Sequence, residues 1–144
     1  MSKGNTNSER ELYNELSYYT LSHPDPSFTH QHIVDAFTAQ TADENSKPIG
    51  VVFALAGLYL YVEKNFTGKQ VQQAHTKTAG ERMAWPKITP PKLRGKITVA
   101  EVMNVPAGKQ RDVIIRTWCE SVWEAWKESR AVIVSLVTEV LEIE

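Results

Sequence analysis

Apolar residues recur along this chain at helical spacing, and no segment alternates as a strand pair would. In "HQHIVDAFTAQ" (residues 30–40), a rotation of about 100° per residue places Ile33, Val34 and Phe37 on one side. Phe28, His32, Asp35, Ala36 and Ala39 fall roughly opposite. The run Ile49–Val62, "IGVVFALAGLYLYV", is apolar all round, the mark of a helix buried among its neighbours. It is shorter than the ~20 residues that span a bilayer, so it reads as core. Within it Gly50, Ala54 and Gly57 form a stripe of small residues, a natural mate for Ala36 and Ala39. If the two stripes meet, both sides of the preceding helix are covered, and His32 and Asp35 lie at the margin of a tight interface.

Start signals divide the chain further. Ser8 with Glu11, Thr67 with Gln70 and Thr98 with Glu101 have the spacing of capping boxes. Pro26 and Pro48 suit first helical turns, where proline's missing N–H costs nothing. The pattern predicts helices over Glu9–Leu21, Pro26–Thr41, Pro48–Lys64, Gly68–Met83 and Val99–Asn104, and a long one from about Gly108. The fold class is therefore all-α: a compact bundle of five to six helices around a buried central helix, closed by a long C-terminal helix. Residues 1–144 make one domain, with 1–8 flexible and 84–98 a proline-rich surface loop.

The last helix carries an expectation about assembly. Ile114, Ile115, Val122, Ala125, Trp126, Val132, Ile133, Leu136, Val140 and Ile143 share a band about 120° wide on a helical wheel. A continuous helix from Gly108 to Ile143 would be about 52 Å long, against a globule of ~35–40 Å. Leu136, Val140 and Ile143 would then overhang, and a homodimer through the C-terminal helix would cover them. The β-branched run "AVIVSLV" lowers helix propensity, so a kink or strand after Ser129 is the alternative.

Composition narrows the partners. The 16 basic and 17 acidic residues leave a net charge of −1, which gives no electrostatic reason to expect nucleic acid or an anionic membrane. Cys119 is the single cysteine, so neither an internal disulfide nor a cysteine-based zinc knuckle can form; it reads as a small buried hydrophobe. The polar start "MSKGNTNSERE" carries no signal-peptide core, and a cytoplasmic location is expected.

Chemistry-bearing residues are few. His32 and Asp35 are one turn apart, and a carboxylate beside an imidazole fixes its tautomer and raises its basicity. His30 points elsewhere, since i and i+2 diverge by about 200°. His75 lies mid-face on the fourth helix with Val71, Ala74, Thr78 and Ala79, where a satisfied core histidine is the plainer reading. Glu63 sits in the last turn of the central helix, where its charge opposes the macrodipole and calls for a cation, a donor or solvent. His23 in "SHPDP" needs no more than its loop position. Tyr18, Tyr19, Trp85 and Trp118 can line a pocket, but aromatics at helical spacing are more often core. The sharpest hypothesis brings His32, Asp35, Glu63 and His75 together, with Gln40 nearby, as an acid–base, small-molecule or divalent-metal site, His32, Asp35 and His75 being the metal ligands. Against a metal, no helix carries an H-x-x-x-H or E-x-x-H pair, and no cofactor is otherwise implied.

The blocks "YYTLSHPDPSFTHQHIVDAFTAQ", "KPIGVVFALAGLYLYVEKNFTGKQVQQAH", "RGKITVAEV" and "WCESVWEAW" together resemble an uncharacterised bacterial family carried as a domain of unknown function. The resemblance spans about Tyr18 to Lys127 and implies a cytosolic bacterial protein. Some members of that family look as if they carry an N-terminal Cys-x-x-Cys segment, which this chain lacks, so a zinc-ribbon role does not transfer. The family supplies no reaction or substrate, but its blocks contain His32, Asp35, Gln40, Glu63 and His75. Two readings follow: a non-catalytic self-associating or partner-binding module, or a metal- or small-molecule-binding protein or enzyme using the polar cluster.

Overall fold

The computed structural model describes residues 2–22, 27–81 and 83–143, with side chains from Ser8 onward. Seven α-helices and no strands occur among them: α1 (Ser2–Ser22), α2 (His30–Thr41), α3 (Pro48–Lys64), α4 (Gly68–Ala79), α5 (Val99–Asn104), α6 (Lys109–Ala125) and α7 (Arg130–Leu141). None is long and apolar enough to cross a membrane. Three boundaries follow directly from local chemistry. Pro48 occupies the first turn of α3, and Thr67–Gln70 and Thr98–Glu101 form reciprocal capping boxes on α4 and α5. Ser8 does not cap: α1 starts at Ser2 and Ser8 lies inside it. Pro26 and His23 fall outside the described residues. At its C-terminus α3 stops at Asn65 in the left-handed conformation (φ 59°), a conformation that asparagine tolerates better than most side chains.

The central helix is α3, packed against α2, α4, α6 and α7. Val52, Leu55 and Leu58 have no exposed surface, and they meet Ile33, Val71, Ile115, Trp118 and Ile133 in one core. Burial fades toward the start of α3, where Ile49 is 39% exposed. The small stripe behaves likewise. Gly57 is jammed against α2, whereas a Cβ added at Gly50 would meet nothing within 4 Å. Register explains the difference. Asp35 lies against Gly57 and His32 against Tyr61, so α2 and α3 run antiparallel and Gly50 falls past the end of α2.

The C-terminal helix is not continuous. Helix α6 ends at Ala125, residues 127–129 form a short 3-10 turn, and α7 starts at Arg130 and packs against α3 and α4. Side chains on either side of the break account for it. Trp126 is 1% exposed and drives into the core. Glu63, at the end of α3, accepts from Trp123 Nε1 (2.6 Å) and is gripped by both Nε and Nη2 of Arg130, so the chain turns around that carboxylate. The expected overhang is therefore absent. Val140 is buried, and Leu136 and Ile143 are half-buried against the core, so the apolar end that a dimer was expected to cover is met within the chain itself.

The segment between α4 and α5 crosses the surface, held by Gln40 and Arg94. The Gln40 carboxamide donates to the carbonyls of Arg94 (3.0 Å) and Ile97 (2.8 Å) and accepts from Trp118 Nε1 (2.9 Å). In return the Arg94 guanidinium donates to the carbonyls of Gln40, Ala42 and Pro91, satisfying the open end of α2. Gly95 sits at φ +97°, with Ser121 Oγ 2.8 Å from where a Cβ would be, so only glycine lets the segment press onto α6.

The folded-back α7 makes opposite demands on neighbouring residues. Ile133 has no exposed surface and Val132 is 48% exposed. Ile133→Ala is expected to cost about 2–4 kcal/mol in urea unfolding, and Val132→Ala less than about 0.5 kcal/mol. Equal effects would contradict the placement of α7.

Candidate functional site

Midway along α2, Asp35 points into the body of the protein and retains 4% of its surface. It fits because α3 has no side chain opposite. A Cβ on Gly57 would stand 1.9 Å from Asp35 Oδ2, closer than any real contact. Two side chains meet the carboxylate. Gln31, one turn earlier on α2, donates from Nε2 to Oδ1 (3.2 Å), and His75 on α4 brings Nε2 to 3.4 Å from Oδ2. Burial pushes the Asp35 carboxyl well above its ordinary value of 3.8, and the contacts from His75 and Gln31 oppose that shift without cancelling it.

His75 connects this buried acid to the surface. Its side chain is 15% exposed, its ring stacks on Phe53 (centroids 5.2 Å apart, 18° between planes), and Phe53 in turn meets the edge of Trp85 (5.4 Å). Among the described residues nothing hydrogen-bonds to Nδ1, so one ring nitrogen faces the buried acid and the other faces outward. Proton count sets what Nδ1 offers. When the pair is deprotonated, Nε2–H donates to the carboxylate and Nδ1 is an acceptor. With one more proton, whether it sits on Asp35 or on the ring, Nδ1 carries a hydrogen and becomes a donor.

The remaining candidates are elsewhere. His32 is buried at 4% exposure, but its ring stacks on Tyr61 (3.5 Å, 10°) and its carbonyl receives Cys119 Sγ (3.7 Å). The Arg116 guanidinium stands 4.7 Å from the centre of the Tyr61 ring, and burial pushes the Tyr61 hydroxyl up to about 12. Glu63 is the anchor of the α6–α7 turn, held below the usual carboxylate range chiefly by Arg130. Gln40 is the strut of the 84–98 segment. The expected ligand set His32, Asp35 and His75 is thus not assembled, because Asp35 pairs with His75 while the His32 ring is committed to Tyr61. Among the described residues no three His, Cys, Asp or Glu side chains converge as a metal site. His30 faces α1, with Nδ1 2.9 Å from Thr20 Oγ1.

Sequence reasoning passes over Gln31, Phe53, Tyr61 and Arg94. Gln31 has a signal, its i−4 spacing from Asp35. Arg94 has none, because its partners at the end of α2 are backbone carbonyls more than fifty positions away.

The buried acid has a pH signature. A carboxyl whose value rises on folding binds its proton more tightly in the native state, so its contribution is complete below 3.8 and stability declines as pH rises through the window above it. The decline can reach about 1.4 kcal/mol per pH unit. Asp35→Asn, uncharged and of the same shape, is expected to flatten this slope, so the variant gains on the wild type as pH rises from 4 toward 7. Parallel urea-unfolding curves over that range would refute the assignment. Gly57→Ala is expected to cost about 1–3 kcal/mol by overpacking, and Gly57→Ala combined with Asp35→Ala markedly less than the two single costs added, since truncating Asp35 removes the carboxylate that the new methyl would strike.

Comparison with curated proteins and with solved structures returns no match. The chain does match a family described as a family of unknown function (DUF5946) over residues 6–127, a span that contains α2, α3 and α4 with Asp35, Gly57 and His75 and stops at the turn before α7. With most of its length and the whole of the buried acid–imidazole pair inside that match, the chain belongs to the DUF5946 family.

Proposed function

We propose that this protein binds a small molecule at His75 and exchanges a proton with it, Asp35 acting as the buried partner that sets the tautomer of the ring. The observation that carries the reading is the cost of the arrangement. Asp35 is desolvated with a raised proton affinity, and it requires a glycine in the middle of the central helix. Both features lower stability, and groups kept at such a cost cluster at functional sites. An apolar filler at position 35 would pack a structural core better.

In this reading His75 Nδ1 is the working atom. With the pair deprotonated it accepts a hydrogen from the ligand, and the positive charge that develops on the ring is balanced by Asp35 across the Nε2–Oδ2 contact. With the pair protonated it donates. Phe53 and Trp85 supply an apolar wall beside the ring that suits the carbon face of a small ligand. Burial makes Asp35 hold a proton more readily than an exposed carboxyl does, which favours the donor form of Nδ1.

A thermal-shift survey of small polar compounds tests the reading. A ligand present at 100 times its dissociation constant stabilises by about 2.7 kcal/mol, or about 5–10 °C in a chain of this size. The expected outcome is a compound that raises the Tm of the wild type by that amount and has no effect on His75→Gln, which removes Nδ1. Compounds that shift both proteins equally, or none that shifts the wild type, would refute it.

A further inference from the structure

A cleft whose lining includes neither Asp35 nor His75 lies between the 84–98 segment and the junction of α6 and α7. It encloses about 560 Å³, within the range of small-molecule sites. One wall is made by Pro86, Ile88 and Pro91, the other by Ala125, Trp126 and Val132. Such a lining favours apolar carbon.

Two observations say more about the occupant. The indole Nε1 of Trp126 is buried and has no hydrogen-bond acceptor among the described residues. The indoles of Trp118 and Trp123 donate to Gln40 and Glu63, so an unmatched buried N–H is the exception here as it is in proteins generally. Trp126 lines the cleft, and an acceptor that reached its indole edge from there would complete it. The charge on the walls gives that acceptor its sign. Lys87 and Lys92 both line the cleft against one acid, Glu128, and none of the three is engaged in a salt bridge among the described residues. From Ala84 to Thr98 the segment carries Lys87, Lys92, Arg94 and Lys96 with no acidic residue.

We infer that this cleft binds a small amphipathic carboxylate, its chain lying between the prolines and Val132, its carboxylate accepting from Trp126 Nε1 and neutralised by Lys87 and Lys92. Affinity then has two separable parts: apolar contact, shared with any chain of the same length, and recognition of the charged head, which requires the indole and the lysines.

Titration of the ¹⁵N-labelled full chain with octanoate, and with 1-octanol as its uncharged counterpart, separates them. The four indole N–H resonances are distinguished by Trp126→Phe, or by through-space contacts if that variant folds poorly. Octanoate is expected to move the Trp126 resonance saturably and leave those of Trp118 and Trp123 in place. Octanol is expected to bind about tenfold or more weakly, the scale of a hydrogen bond to a charged group. The exposed double substitution Lys87→Gln with Lys92→Gln is expected to weaken octanoate about tenfold and leave octanol unchanged. A Trp126 resonance that octanoate leaves unmoved, movement of all indoles together, or equal binding of acid and alcohol would each overturn the inference.

Discussion

A carboxylate can be taken out of water only where the opposing backbone leaves room for it, and here the room is made by the missing Cβ of Gly57. Most of the polar architecture follows from that gap. It sets how close α2 and α3 approach, and with it the antiparallel register that lays His32 on Tyr61. It lets Asp35 turn inward, and an inward Asp35 requires a partner on the next helix, which His75 provides. The position of His75 in turn orients a ring on which Phe53 stacks, with Trp85 behind it at the edge of Phe53. Filling the gap would displace the acid, and the aromatic wall would be left around a histidine with no internal partner.

The polar residues that face inward sort by their place along the helix. Gln40 and Glu63 stand at the ends of α2 and α3, where unpaired carbonyls and chain reversals need fastening, and each holds a connection: Gln40 the 84–98 segment, Glu63 the turn into α7. Asp35 and His75 stand mid-helix, where the backbone is already satisfied and side chains are free to face each other. A helix end recruits polar groups for structure. A polar pair between two helix middles has no such duty, which is what separates it from the rest of the seam.

The parts of this fold legible in the sequence are those set by short-range chemistry. The bounds of α3 and α5 follow from Pro48 and from the Thr98–Glu101 box, and the burial of His32 and Asp35 follows from two apolar stripes on one helix. Pairing across the bundle is less legible. Asp35 and His75 do meet, but Glu63 does not join them, because sequence shows that it needs a cation without showing that Arg130 supplies it. The break at 126–129 is hidden for the same reason: the apolar phase runs on through Ser129, and the interaction that turns the chain comes from the far end of α3. Gly50 and Gly57 look alike in a helical stripe, and only the length of α2 tells them apart.

The same gap has a consequence in time. Helices α2 and α3 are joined by residues 42–47 alone, so their pairing closes a short loop and is an early event on topological grounds. Asp35 is enclosed in that pairing, but His75 lies 40 positions along the chain and reaches it only when α4 docks. Between the two events the hairpin must hold an ionised carboxylate against Gly57 with Gln31 as its nearest donor. Acid relieves this by protonating Asp35 in advance. If α2 and α3 pair before α4 docks, the speed of assembly depends on where one proton sits and is greater on the acidic side.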